Sequence, residues 1–290
     1  MPSEPSAVEI VVGAEQEVRR DLAHLDESKR GPYARFVLAA LGSLPWVGGL
    51  IGAAAAAYGE HDQGKVNALQ RKWLEEHSNR LHDVAGAIDE VTSRLDQFGQ
   101  DVKQRMESEE YLSIVRKAFR VWDQADTKEK RRLLQQLLAN AGASRITSDD
   151  VVRLFIDWIE RYHEVHFAVI REVFQNPGST RADIWEGVHG EQPRENSAEA
   201  DLFKLLILDL STGHVLRQHR PTTHDGQFIR KKPVRHAGPA PTVMKSAFDD
   251  KEPYVLTELG KQFVHYTMSE IVPRVGSGDP ETGNDGTPTR

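Results

Sequence analysis

Cysteine is absent from this 290-residue chain. Its absence excludes a disulfide framework, a thiolate zinc site and a cysteine nucleophile. A basic surplus is also lacking, because 44 aspartates and glutamates outnumber 37 lysines and arginines and give a net charge of −7. A chain of this charge is not a general polyanion binder, so any contact with nucleic acid must come from a local basic patch.

Motifs that carry chemistry are lacking as well. The sequence contains neither a phosphate-binding P-loop nor a glycine-rich dinucleotide fingerprint. His163 and His166 lie three residues apart without an evident third metal ligand, and Asp149-Asp150 is typical of a helix cap. We therefore expect no catalytic residue, no cofactor-binding residue and no metal site, and we expect that the protein is not an enzyme.

The longest stretch without a charged residue runs from Phe36 to Tyr58. As a single helix it would be about 35 Å long, enough to span a bilayer. Pro45 and several glycines interrupt it, however, and they favour two short helices folded at residues 43–46. A buried hairpin, a hairpin that enters a membrane and a permanent span stay open at this point. The candidate hairpin and membrane residues are Phe36, Leu41, Pro45, Trp46, Leu50 and Ile51.

No basic segment precedes an apolar run at the N-terminus, so we expect no secretory signal. The expected location is the cytoplasm, peripheral to the inner membrane if the hairpin contacts lipid.

A heptad pattern follows over residues 61–106, with apolar residues every seven positions. It predicts one helix of about 45 residues. This helix either packs on its own bundle or forms a homodimeric coiled coil. The candidate oligomerisation residues are Leu81, Ile88, Leu95, Phe98 and Val102.

Further helices are predicted over residues 111–122 and 126–138, followed by one long helix from Asp149-Asp150 towards Phe174. After Phe174, Thr180 is positioned to cap a short helix, a third helix begins at Ala198, and a glycine turn leads into a strand containing Val215. A basic loop then precedes a second strand and a closing helix, whose predicted N-cap is Thr257. Three helices, two strands around a loop and a final helix are typical of a winged helix-turn-helix.

The loop of this predicted wing carries a local excess of positive charge in an acidic chain. Its candidate nucleic-acid or anion-binding residues are Arg217, Arg220, Arg230, Lys231, Lys232 and Arg235. Phosphate contacts, an anionic lipid or acidic protein partner, and a merely solvated loop are the three interpretations. The third helix weighs against DNA, because it begins with Glu199 and Asp201 and offers no arginine, asparagine or glutamine to base edges.

Short motifs in the second half of the chain resemble a known family. The segments EKRRLLQQLLANAG (129–142), HFAVIREVF (166–174), LLILDLSTGHVL and YVLTELGKQFVHY are similar to those of the bacterial abortive-infection alpha proteins. The resemblance covers residues 107–268 and implies a role in phage defence. It transfers no catalytic residue.

Together these patterns predict a mainly α protein. Its domains are an N-terminal arm and short helix (1–32), an apolar hairpin, heptad helix and bundle (33–163), a winged helix (164–272) and a disordered tail (273–290). The expected function is a non-enzymatic phage-defence effector or accessory protein that docks a partner through the winged helix and acts on membrane through the hairpin. The alternative is a dimeric DNA-binding regulator. The partners are therefore a second copy, a protein or nucleic acid at the basic wing, or a membrane at the hairpin.

Overall fold

The computed structural model describes residues 33–47, 49, 68–96, 100–144, 146–221, 223–225, 227–229 and 246–268. These residues are mainly helical, with one two-stranded sheet, so the predicted mainly α class is confirmed. They divide into two compact units. The first contains the described residues up to Asp123 together with 135–152, and the second contains 124–134 and 153–268.

The helices of the first half are α1 (Ala34–Gly42), α2 (Ala68–Leu95), α3 (Gln100–Glu107), α4 (Glu109–Gln124) and α5 (Lys128–Ala143). The second half contains α6 (Asp149–Arg161), α7 (Glu164–Gln175), α8 (Arg181–His189), α9 (Ala198–Thr212), β1 (Leu216–Gln218), β2 (Tyr254–Leu256) and α10 (Glu258–Thr267).

The core of the first unit forms around an aromatic cluster. Phe36 of α1 stacks on Tyr111 with ring centroids 6.4 Å apart and meets the edge of Phe119 at 6.1 Å. The Tyr111 hydroxyl donates a hydrogen bond of 2.8 Å to the carbonyl oxygen of Leu138, which ties α4 to α5. The charge-free stretch thus begins as a core helix, because its large side chains lose contact with water inside this cluster.

Two predicted helices are shorter than expected. The continuous heptad helix is wrong, because α2 ends at Leu95 and α3 begins at Gln100. Just past that end, the Tyr33 hydroxyl donates to the Asp96 carboxylate at 2.5 Å. The long helix from Asp149 is also wrong, because His163 adopts an extended backbone (ψ 165°) between α6 and α7 and acts as the N-cap of α7.

The second unit packs α7 against α8, α10 and β2, while α9 packs against β1. Its core is aromatic, with Phe155 and Trp158 both 5.5 Å from Phe263 between ring centroids. The two strands are antiparallel, and Arg217 lies opposite Val255 in their register.

Side-chain caps set the helix starts of this unit. Thr180 caps α8, and its hydroxyl oxygen accepts from the amide of Asp183 at 3.3 Å. Thr257 caps α10 in the same way by accepting from the amide of Gly260 at 2.9 Å. Both caps were predicted from sequence and are confirmed, since a hydroxyl three residues before an unpaired helix amide satisfies it.

Candidate functional site

The exposed side of α9 is lined with leucines. Leu202, Leu205 and Leu208 have exposed fractions of 50%, 51% and 60%, while the opposite side of the helix is buried in the second unit. We call these three residues the leucine face. Apolar residues that stay exposed together on one side of a helix mark a candidate surface for a partner.

Acidic residues flank the leucine face at the start of α9. Glu199 and Asp201 are both exposed and lie in the first turn, after the cap Ser197. Lys204 lies 3.7 Å from the Asp201 carboxylate, and it is the one basic residue in the α9 sequence. The rim of the leucine face is therefore acidic over this part.

A cleft of about 490 Å³ lies at the other end of α9, bounded by the two strands and the start of the loop between them. We call it the arginine cleft, after Arg181, Arg217 and Arg220. None of the described residues that line it is acidic. Its other lining residues are Ile207, Leu208, Ser211, His214, Leu216, Gln218, Phe228 and Tyr254.

Arg217 is held against an aromatic ring at the mouth of the cleft. Its guanidinium carbon lies 5.0 Å from the ring centroid of Phe228, a cation–π distance. Its Nη1 atom is buried and has no hydrogen-bond partner among the described residues. A buried donor left without an acceptor destabilises the fold unless something else supplies one.

Arg181 lies at the first position of α8 and is held by Tyr254 of β2. Its Nε donates to the Tyr254 hydroxyl oxygen at 3.0 Å, and its guanidinium carbon is 5.7 Å from the ring centroid. The Tyr254 side chain itself is buried. This contact fixes the Arg181 side chain at the cleft wall while its terminal amino groups stay available to an acceptor.

The turn between α9 and β1 places His214 at the same cleft. His214 has φ 58°, the left-handed region that few residues other than glycine adopt. The Thr257 hydroxyl donates to its carbonyl oxygen at 2.6 Å. A strained backbone fixed in this way is found more often at binding sites than elsewhere.

The structure describes only part of the predicted basic wing. Arg217 and Arg220 both line the arginine cleft. The remaining members Arg230, Lys231, Lys232 and Arg235 lie outside the described residues. Of the predicted hairpin residues, Phe36 and Leu41 are buried, Trp46 is half-buried and Pro45 is exposed, while Leu50 and Ile51 lie outside the described residues.

The described residues of the predicted oligomerisation seam are covered by the chain itself. Leu81, Ile88 and Leu95 are completely buried, and Val102 is 7% exposed. Phe98 lies outside the described residues. A dimer through this seam would have to open contacts that the single chain already makes.

Polar contacts hold the bend of the apolar segment. α1 ends at Gly42, and a new helical turn begins at Pro45. The Trp46 indole nitrogen donates to an Asp123 carboxylate oxygen at 3.0 Å, and Arg80 lies 2.6 Å from the same oxygen. The Arg80 guanidinium also covers the Trp46 ring at 5.1 Å. The residues beyond this bend lie mainly outside the described part, so the complete hairpin stays a prediction.

Of the two histidines, His166 is buried in the core of the second unit, whereas His163 is exposed. His166 is 4% exposed, its Nδ1 accepts from the backbone amide of His163 at 3.1 Å, and its ring stacks on Tyr162. Burial lowers the pKa of His166, although the Asp209 carboxylate at 3.8 Å acts in the opposite direction. In the described part of the chain no cluster of three or more potential ligands could hold a metal ion.

Across the described residues no helix is both long enough and apolar enough to cross a membrane. Comparison with protein-family models, curated proteins and solved structures finds no match to this chain. The similarity to the abortive-infection alpha proteins therefore rests on the short motifs alone and stays a prediction.

Sequence reasoning missed the leucine face and every cleft residue other than Arg217 and Arg220. Arg181 precedes the other cleft residues by a helix and a loop, and Phe228 is an apolar residue within the basic loop, so the charge pattern points to neither. The leucine face did leave a signal, because the stretch LFKLLILDL has apolar residues on every side of a helix.

Proposed function

We propose that this chain is a non-enzymatic docking protein whose C-terminal unit is a winged helix that binds a partner protein through the leucine face of α9. The observation that supports this proposal is the exposure of three leucines on one helix. At least half of the surface is exposed in each of Leu202, Leu205 and Leu208. Fully burying an exposed leucine contributes about 1.5–3 kcal/mol, and each of these three side chains has roughly half of that burial still to gain, so together they are a source of binding energy.

The order of elements supports the winged-helix arrangement. Helices α7, α8 and α9 precede the antiparallel strands β1 and β2, and α10 follows directly. In winged helices that bind DNA, the third helix reads base edges with polar and basic side chains. Leucines in those positions favour contact with a protein.

The occupant we propose is an amphipathic helix of a partner protein. Its apolar side would cover the leucine face, as in other helix-in-groove complexes. Lysines or arginines on its flank would lie over Glu199 and Asp201, which are exposed beside Leu202. Complementary charge of this kind selects a basic helix over an acidic one.

Two designed peptides test this proposal. Both have leucines on one helical side, and their flanking residues are lysine in one and glutamate in the other. Fluorescence anisotropy should show tighter binding of the lysine peptide, and Leu202→Ser with Leu205→Ser should weaken that binding by about tenfold or more. Leu38→Ser is the matched control, because Leu38 is also an exposed helical leucine, at 55%.

Three results would contradict the proposal. If the lysine peptide bound the double variant as tightly as the wild type, the leucine face would be excluded as the binding surface. If the wild type bound both peptides with equal affinity, Glu199 and Asp201 would not select a basic partner. A dimer in sedimentation experiments that the double variant converts to a monomer would make a second copy of the chain the occupant.

Phage defence is the cellular role we propose, on the basis of the resemblance over residues 107–268. Plating efficiency of phages on the native host should drop with the wild-type gene and recover with the Leu202→Ser, Leu205→Ser variant at matched expression. Contact of the apolar segment with membrane remains part of the proposal. It requires α1 to leave the core, since Phe36 is completely buried.

A DNA-binding regulator is the second candidate, supported by Arg217, Arg220 and the remaining basic residues of the loop. It requires duplex binding that weakens steeply with salt. Changing Arg230, Lys231 and Lys232 to glutamate should then abolish binding. Unaltered duplex binding by this triple variant would exclude the basic loop as the contact.

A further inference from the structure

We propose that the arginine cleft binds a small organic phosphate of about mononucleotide size. This inference is independent of the proposed docking function, because the cleft and the leucine face share only Leu208. Three observations support it: the charge of the cleft, the Arg217 guanidinium held against Phe228, and the apolar surface beside it.

The arginines give the cleft a positive charge that no acidic residue among its described lining residues neutralises. Arg181, Arg217 and Arg220 line it, His214 adds a further basic group, and none of the described lining residues is acidic. Three guanidinium groups offer planar arrays of donors that match phosphate oxygens. A phosphate monoester, with up to two negative charges and three terminal oxygens, matches this set better than a single carboxylate.

The Arg217 guanidinium is held in place at the cleft. Phe228 covers one side of it at 5.0 Å, which limits its movement. A guanidinium already held in place loses little side-chain entropy when it binds an anion in the cleft.

The apolar surface indicates that the ligand carries an organic group. Ile207 and Leu216 are buried at the cleft, whereas Phe228 and Leu208 remain 51% and 60% exposed. An exposed aromatic ring beside a cation accommodates a flat ring system by stacking. The volume of about 490 Å³ is also in the usual range for a small-molecule site.

A free ligand fits better than the backbone of a nucleic acid. The phosphates of a duplex extend over many nucleotides, and a strand continuing along α9 would meet Glu199, Asp201 and the leucine face. Like charges at that position oppose a polyanion, while a compact ligand confined to the cleft does not reach them.

Isothermal titration of the full chain tests the proposal with four probes: adenosine 5′-monophosphate, adenosine, inorganic phosphate and a DNA duplex. The monophosphate should bind with one-to-one stoichiometry and more tightly than adenosine or phosphate. Arg217→Gln and Arg220→Gln should each weaken it by about tenfold or more, as expected for loss of a charge-assisted contact. Arg194→Gln is the control, since Arg194 is an exposed arginine of the same unit outside the cleft.

Phe228→Ala tests the contribution of the ligand's organic group separately from that of its phosphate. It should weaken binding of the monophosphate by a larger factor than binding of inorganic phosphate, because only the monophosphate loses the stacking contact with the ring. Because Arg220 and Phe228 are exposed, both variants should keep the wild-type melting temperature, so the test does not depend on Arg217→Gln being folded.

Several outcomes would overturn the inference. The cleft would be excluded as the binding site if the monophosphate did not bind at millimolar concentration. It would also be excluded if the Arg217 and Arg220 variants bound the monophosphate as tightly as the wild type does. Equal affinity for phosphate and monophosphate would exclude an organic group. Duplex binding through the same arginines without monophosphate binding would assign the phosphate to a nucleic-acid backbone. The leucine-face variant Leu202→Ser, Leu205→Ser should bind the monophosphate normally, which keeps this test separate from that of the docking function.

Discussion

In the first unit, the Tyr111 hydroxyl fills the space that a side chain at Gly142 would need. A methyl group added at the Cα of Gly142 would lie 3.0 Å from the Tyr111 hydroxyl oxygen and 2.8 Å from Cδ2 of Leu95. Both neighbours are completely buried, and the Tyr111 hydroxyl donates its hydrogen bond to the Leu138 carbonyl oxygen. Gly142 lies near the end of α5, and its tertiary role is to let this helix approach these two side chains.

Gly142→Ala should therefore destabilise the protein even though alanine is the better helix former. Overpacking of a rigid core costs about 1–3 kcal/mol, which exceeds the gain of about 1 kcal/mol in helix propensity. Gly86→Ala in α2 is the matched control, because nothing lies within 4 Å of the added methyl group. It should stabilise the protein by about 0.5–1 kcal/mol. Denaturant unfolding of both variants measures the difference, and a gain of stability in both would contradict the contact.

Ile88→Asp should lower the free energy of unfolding by about 3 kcal/mol or more, because it leaves an unpaired charge in the core. Ile88 is completely buried in the first unit. Asn79→Asp, at an exposed position of the same helix, should leave stability nearly unchanged. Thermal unfolding is the measurement, and sedimentation velocity of the wild type reports separately whether this helix also joins two chains. A wild-type melting temperature in Ile88→Asp would show that the seam is not core.

Trp46→Phe should release the bend that follows α1. The change retains a ring at the Arg80 contact but removes the hydrogen bond to Asp123, a loss of about 1–2 kcal/mol for a partly buried charged acceptor. If the apolar segment can bind lipid, liposome flotation should recover more of this variant than of the wild type. Equal recovery combined with lower thermal stability would limit the segment to a role in the core. Ser93→Ala, at an exposed position of α2 that makes none of these contacts, is the control.

Acid should weaken the second unit through His166. Burial lowers the pKa of His166 in the folded state, so the unfolded chain binds the proton more readily. The stabilisation from the neutral side chain is complete above the unfolded pKa of about 6.5 and declines as the pH falls below it. The loss continues until the pH has passed the lowered folded value.

His166→Asn should reduce this decline, since the amide oxygen can replace Nδ1 as acceptor for the His163 amide but does not titrate. Urea unfolding at pH values from about 7.5 to 5 spans the start of the decline at the unfolded histidine pKa. His219→Asn is the control at an exposed position and should retain the wild-type pH dependence. A slope in His166→Asn equal to that of the wild type would assign the acid sensitivity to other groups.

The sequence by itself determined the helical class and the local punctuation of the second unit. Thr180 and Thr257 cap the helices that their spacing predicts, and α7 ends at Gln175, before the Asn176-Pro177-Gly178 turn. These features were predictable because a cap or a turn depends on residues three or four positions apart, whose chemistry is local.

Helix continuity was decided by tertiary contacts. The heptad pattern continues through residue 95, yet α2 ends there, beside the Tyr33–Asp96 hydrogen bond. The apolar pattern from α6 into α7 likewise hides the break at His163. An apolar repeat indicates which side chains of a helix are buried. It does not indicate at which residue the helix must end to follow the elements that it packs against.

The candidate site depended even more on the fold. Arg181, Arg217 and Phe228 come from a helix start, a strand and a loop, and only the packing of these elements brings them to one cleft. The exposure of Leu202, Leu205 and Leu208 is equally a tertiary property, because the sequence of α9 is apolar all round and both sides were candidates for the core. In the folded unit, Phe203, Leu206 and Leu210 of the same helix fill the core, and the side that carries the three leucines faces solvent.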